Sequence, residues 1–228
     1  MFTDPKLPDD SDLYRAGFYA AGFWGPRGED PEASADRLQG FLQKLASINP
    51  LLTHWYFPES RMGDGRNPAP NSASEWTDIV KRKIASLRLG ITEHSASGLG
   101  AVIRIWSGDP GNSAGLSLRV GHISPRIGNA VVLNLPPTLS PIFVDLERSR
   151  SVIDAIVSSW DPDRAVMRPA DVPRADAPPL KPGDVVRVED HMHQFPDWIS
   201  YKRKAPLVLG GPFASAIPTA QPSGPTID

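Results

Sequence analysis

Two short stretches carry residue types that could do chemistry. Gly111-Asn112-Ser113-Ala114-Gly115 has the spacing of a hydrolase nucleophile elbow. Such a serine works only on a sharp strand-to-helix turn that lifts its hydroxyl above a sheet. Here Leu116-Ser117-Leu118-Arg119-Val120 follows, alternating apolar with polar as a strand does. The motif therefore reads as a hairpin loop, where Gly, Asn and Ser are ordinary turn residues. Glu189-Asp190-His191-Met192-His193 is the best metal candidate. On a strand, His191 and His193 would face one side, and a carboxylate could complete a site. Spacing supplies no third ligand, and the plainer reading is a polar loop with surface histidines. His54, His94 and His122 are isolated, and each reads as a surface or hydrogen-bonded structural residue. Gly98-Leu99-Gly100 lacks the third glycine of a dinucleotide fingerprint. Lys81-Arg82-Lys83 reads as a solvated helix face, not a phosphate-binding patch. The expectation is a chain that is not an enzyme, holds no metal and needs no cofactor. A small hydrolase using Ser113, or a metal-dependent enzyme using His191/His193, is the alternative.

The elements that would position such groups follow from periodicity. Residues 14–24 are nearly all apolar and aromatic, which predicts a central strand buried on both faces. Asp30-Pro31 opens a helix, because Asp caps and Pro fits the first helical position. Leu38, Phe41, Leu42 and Leu45 mark its buried stripe, Asn49-Pro50 stops it, and residues 51–57 read as a second strand. Ser72 and Glu75 have capping-box spacing before a helix whose stripe is Trp76, Ile79, Val80, Ile84 and Leu87. The period then changes to two over residues 101–106, 116–122 and 130–135, a predicted antiparallel meander. A third helix is expected from Ser140-Pro141 to Asp161-Pro162, with short strands near 164–168, 185–188 and 198–201. The order β-α-β-α-βββ-α-β predicts an α+β fold, a largely antiparallel sheet with about three packed helices. Residues 1–12 are expected to be a flexible N-terminus, 13–204 a single domain, and 205–228 a Pro/Ala/Ser-rich disordered tail.

Composition bounds the function. The chain has 228 residues and formal net charge −2, so no overall basicity points to direct nucleic-acid binding. It has no cysteine, which excludes a disulfide framework and a thiolate zinc site and suits a cytoplasmic location. Neither a secretory signal nor a membrane-spanning apolar run is present in the sequence. Residues 1–36 hold Asp4, Asp9, Asp10, Asp12, Glu29, Asp30, Glu32 and Asp36 against Lys6, Arg15 and Arg27. Beyond ordinary surface charge, this imbalance is compatible with an acidic face for a basic partner. Six tryptophans, Trp24, Trp55, Trp76, Trp106, Trp160 and Trp198, lie mostly at the ends of predicted elements. They read as core residues, with one or two available as interface anchors.

Several segments together resemble the immunity protein 52 family of bacterial polymorphic toxin systems. They are Tyr14, Ala16-Gly17 and Trp24-Gly25-Pro26-Arg27; Asn49-Pro50-Leu51 with Trp55-Tyr56; Trp106-Ser107-Gly108; Leu116-Ser117-Leu118-Arg119-Val120-Gly121; and Asn129-Ala130-Val131-Val132-Leu133-Asn134-Leu135-Pro136. Trp160-Asp161-Pro162-Asp163 and Asp197-Trp198-Ile199-Ser200-Tyr201 complete the set. The resemblance implies an α+β immunity protein, encoded beside a toxin that is often a nuclease of restriction-endonuclease-like fold. It would protect its producer by binding that toxin in the cytoplasm. Glu29, Asp30, Glu32 and Asp36 are then the candidate toxin-binding acids, with helix capping and solvation as their competing role. A structural subunit of a secretion apparatus is a further reading, distinguished by stable self-assembly without a toxin.

Overall fold

A computed structural model describes residues 17–58, 67–88, 100–109, 112–123, 128–139, 145–169, 199–203 and 208–209. The expectations for residues 1–12, 185–188 and 205–228, apart from 208–209, lie outside the described residues, as do Leu87's side chain, His94, His191, His193 and Trp198.

The chain belongs to the α+β class, and among the described residues three helices pack on one antiparallel sheet. Its strands are β1 (Phe18–Trp24), β2 (Trp55–Phe57), β3 (Asn67–Pro68), β4 (Ala101–Asp109), β5 (Asn112–Val120), β6 (Asn129–Leu135), β7 (Arg164–Pro169), β8 (Ile199–Lys202) and β9 (Val208–Leu209). The helices are α1 (Pro31–Ile48), α2 (Ala73–Arg88) and α3 (Leu146–Trp160). The strand order across the sheet is β3-β2-β4-β5-β6-β1-β7-β8-β9, with every neighbouring pair antiparallel. β4, β5 and β6 form the expected meander, and β1 lies centrally between β6 and β7.

Register lines up two buried apolar rows on one face of β4, β5, β6, β1 and β7. Ile105, Leu116, Leu133, Ala20 and Met167 form one buried row across five strands, and Ile103, Leu118, Val131, Gly22 and Ala165 form the next. The helices cover this face. α1 packs against both α2 and α3; α2 lies towards β4, and α3 lies over β1, β7 and β8. Leu38, Phe41 and Leu45 of α1, Trp76 of α2, and Ile153, Ile156 and Trp160 of α3 are fully buried. Each contributes about 1.5–3 kcal/mol by leaving water. Gly22 allows the closest approach: a Cβ there would lie 2.7 Å from Ile156 Cγ2.

Local chemistry explains the boundaries. The Asp30 carboxylate accepts the Ala33 amide at 2.7 Å, Pro31 stands at the first helical position, and α1 begins there as expected. At the start of α2 the Ser72 hydroxyl accepts the Glu75 amide at 3.4 Å and donates to the Glu75 carboxylate at 2.6 Å. α3 ends on Asp161, whose left-handed backbone (φ 45°) continues no helix.

Three expectations shift. α3 starts at the Asp145 cap rather than at Ser140, and the segment read as a strand from residue 51 begins with a 3-10 turn, Pro50–Leu52. The cause is Asn49, whose side chain accepts the Leu51 amide at 2.8 Å and holds that turn. The β4–β5 hairpin is also tighter than the alternation suggested, since pairing continues to Asp109↔Asn112.

Candidate functional site

One end of the sheet gathers segments that are far apart in sequence. β1 ends there at Trp24 and β5 at Val120; β6 begins there at Asn129, and α3 stops at Trp160. The Trp24 and Trp160 rings stack 5.9 Å apart at 14°, and Phe41 meets Trp160 edge-on. Arg27 lies over Trp24, 5.1 Å from the ring centroid. Its guanidinium donates to the Trp160 carbonyl at 2.7 Å and the Asp161 carbonyl at 3.3 Å. Those carbonyls are the exposed negative end of α3, so the arginine caps that helix.

Glu29 holds Arg27 from the other side. Its carboxylate stands 2.6 Å from Arg27 Nε and 2.8 Å from Arg37 Nη1, and only 5% of the side chain is exposed. Asp163 accepts the Gly25 amide at 3.0 Å, and Arg203 reaches Asp161 at 2.8 Å and Asp163 at 3.4 Å. The Asn129 side chain accepts the His122 amide and donates to the carbonyls of Gly25 and His122. His122 is buried, and its Nδ1 accepts the Gly100 amide at 3.2 Å. Burial first, and the positive field of Arg119 second, push its pKa below the ordinary imidazole value.

The four candidate acids meet different fates. Glu29 is consumed by internal ion pairs. Asp30 is exposed but spends one oxygen on the α1 cap. Glu32 is exposed and pairs with Lys81 at 2.6 Å; this contact lowers the Glu32 pKa and raises that of Lys81. Asp36 is exposed and makes no ion pair among the described residues. On the turn that precedes α1 rests Ile123, 48% exposed, packed so closely that a Cβ at Gly28 would lie 3.1 Å from its Cγ2.

Ser113 sits on β5, opposite Gly108 on β4, with strand continuing after it. It is exposed and forms no hydrogen bond to a base among the described residues. The strand-to-helix context of a nucleophile elbow is therefore missing. Among the described residues no group of three His, Asp or Glu side chains could hold a metal ion, and His191 and His193 lie outside them. No helix among the described residues is long and apolar enough to cross a membrane.

The Arg27–Glu29–Asp163–Arg203 network was not anticipated from sequence. Its signals were the Trp24-Gly25-Pro26-Arg27 and Trp160-Asp161-Pro162-Asp163 segments, which the fold brings into contact. Comparison with known families places the chain. The model of Immunity protein 52 matches residues 16–186, well over half of the chain. The chain belongs to the Immunity protein 52 family. A search of curated proteins finds no match.

Proposed function

We propose that this immunity protein binds a cognate bacterial toxin and neutralises it in the cytoplasm of the cell that makes both. It acts as a stoichiometric inhibitor with no catalysis of its own. The toxin is a nuclease of restriction-endonuclease-like fold, encoded by an adjacent gene and used in interbacterial competition such as type VI secretion. The family match over residues 16–186 carries this reading.

The contact surface we assign is the start of α1 with the neighbouring end of β5. A nuclease groove must be basic to hold phosphates. Asp30, Glu32 and Asp36 offer exposed negative charge, and Ile123, resting on the turn at Gly28, offers an apolar anchor. Exposed charges of this kind govern association rate, while a buried anchor governs dissociation. Glu29 serves the surface indirectly, by fixing Arg27 and the turn on which Ile123 rests.

Co-expression tests the function. Cells carrying the neighbouring toxin gene should survive only when this chain is present. Survival without it would refute the immunity reading. Glu32→Lys with Asp36→Lys should slow association, most at low salt; an unchanged rate would leave the function standing and displace the surface.

A further inference from the structure

We infer that the toxin footprint continues around this sheet end onto the face of β4 and β5 opposite the described helices, where an acidic segment of the toxin docks on Arg104 and Arg119. This deepens the immunity reading and rests on it.

The face is built by register. Val102 pairs with Arg119 and Arg104 with Ser117, so the two arginines project from the same side on adjacent strands as diagonal neighbours. That placement separates them by about 7–8 Å at the backbone. Both are exposed, and neither has an ion-pair partner among the described residues. Among the described residues of β2, β4, β5 and β6, no carboxylate shares this face. Like charges placed this way repel, a cost that an acidic partner would remove. The field of Arg119 is felt locally, since it helps to lower the pKa of His122.

Apolar groups accompany the charge. Tyr56 and Trp106 stack with centroids 5.0 Å apart, and both are half-buried, as are Val102 and Val132. A Cβ at Gly115, beside Trp106, would meet no atom within 4 Å, so among the described residues nothing covers the sheet there. Towards β1 and β7 the same face is closed: Ala21 and Val166 have no exposure. The open part is thus an arginine–aromatic patch of the composition that interface hot spots favour.

The patch also adjoins the surface assigned above. Arg119 lies four residues before Ile123, and the intervening Gly121 touches the Glu29 backbone, where a Cβ would lie 3.6 Å from the carbonyl oxygen. Basic and acidic areas therefore flank one apolar residue. Opposite signs on either side of an anchor fix a partner's orientation, which neither sign alone does. A protein partner suits this better than a nucleic acid, because two arginines on a chain of net charge −2 give little attraction for a polyanion.

The test measures binding of the inactive form of the neighbouring toxin to the full chain by surface plasmon resonance. Arg104→Glu with Arg119→Glu should weaken affinity by about tenfold or more, with melting temperature unchanged, because charge reversal puts like charges together. Arg104→Lys with Arg119→Lys should stay within about threefold, since the charge remains. If the reversed variant does not fold, the double glutamine variant should show a smaller loss in the same direction. Unchanged affinity in the charge variants, with the original chain binding tightly, overturns this inference alone. No binding by the original chain overturns the immunity reading and this inference together. Tight binding of a fluorescein-labelled single-stranded oligonucleotide, lost with the same arginines, assigns the patch to nucleic acid and overturns it.

Discussion

Replacing Glu29 by alanine separates a structural carboxylate from the recognition carboxylates beside it. Glu29 is 5% exposed and meets Arg27 Nε at 2.6 Å and Arg37 Nη1 at 2.8 Å. A hydrogen bond to a charged group is worth about 1.5–3 kcal/mol net. Arg37 is 39% exposed, so its share is screened towards the surface value of roughly 0.2–1 kcal/mol. Arg27 is 27% exposed, and its Nε meets the carboxylate as a partly shielded ion pair rather than an aligned hydrogen bond. Losing the carboxylate also frees Arg27, which caps α3 and covers Trp24. The expected cost is about 2–3 kcal/mol, a melting temperature lower by roughly 5–10 °C for a chain of this size. Urea unfolding followed by tryptophan fluorescence reads it directly. The contrast is Asp36→Lys, an exposed position with no ion pair among the described residues, where stability should move by no more than about 0.5 kcal/mol. A loss below about 0.5 kcal/mol in Glu29→Ala, joined to slower toxin association, would refute the assignment and make Glu29 a contact residue.

Gly22→Ala should destabilise by about 1–3 kcal/mol, because its Cβ would stand 2.7 Å from the stiff Ile156 side chain; a neutral result would contradict the packing of α3 on β1. His122 has its folded pKa below the unfolded value, so the unfolded chain binds more protons as pH falls beneath about 6.5. Stability should therefore drop through that window, and His122→Asn should flatten the drop in urea midpoints measured between about pH 7.5 and 5.5; an identical slope would exclude His122 as its source. Ser113→Ala should preserve both toxin neutralisation and melting temperature, with a stability change inside about 0.5 kcal/mol; loss of neutralisation would restore a role for this hydroxyl.

What was legible in the sequence was local. Asp30-Pro31 and Ser72…Glu75 announced two helix starts because capping is satisfied within a few residues. The meander was readable because Leu116, Leu118 and Val120 alternate with Ser117, Arg119 and Gly121. The turn at Pro50–Leu52 escaped because Leu51-Leu52 looks like a strand, while the deciding hydrogen bond comes from the Asn49 side chain. The acids were counted as one group, yet only folding reveals that Glu29 faces Arg27 and Arg37 while Asp36 faces water. Arg203 joins Asp161 and Asp163 across some forty residues, a distance at which spacing carries no signal. Arg119 was readable as the polar partner in an alternating strand, but its adjacency to Arg104 depends on a strand register that no single segment encodes.

Titration of the purified neighbouring toxin with this chain tests the central claim most directly. Neutralisation by complex formation predicts that toxin activity falls linearly to zero at one equivalent, with a dissociation constant in the nanomolar range or below, about −12 kcal/mol. Full toxin activity in the presence of micromolar chain would contradict it.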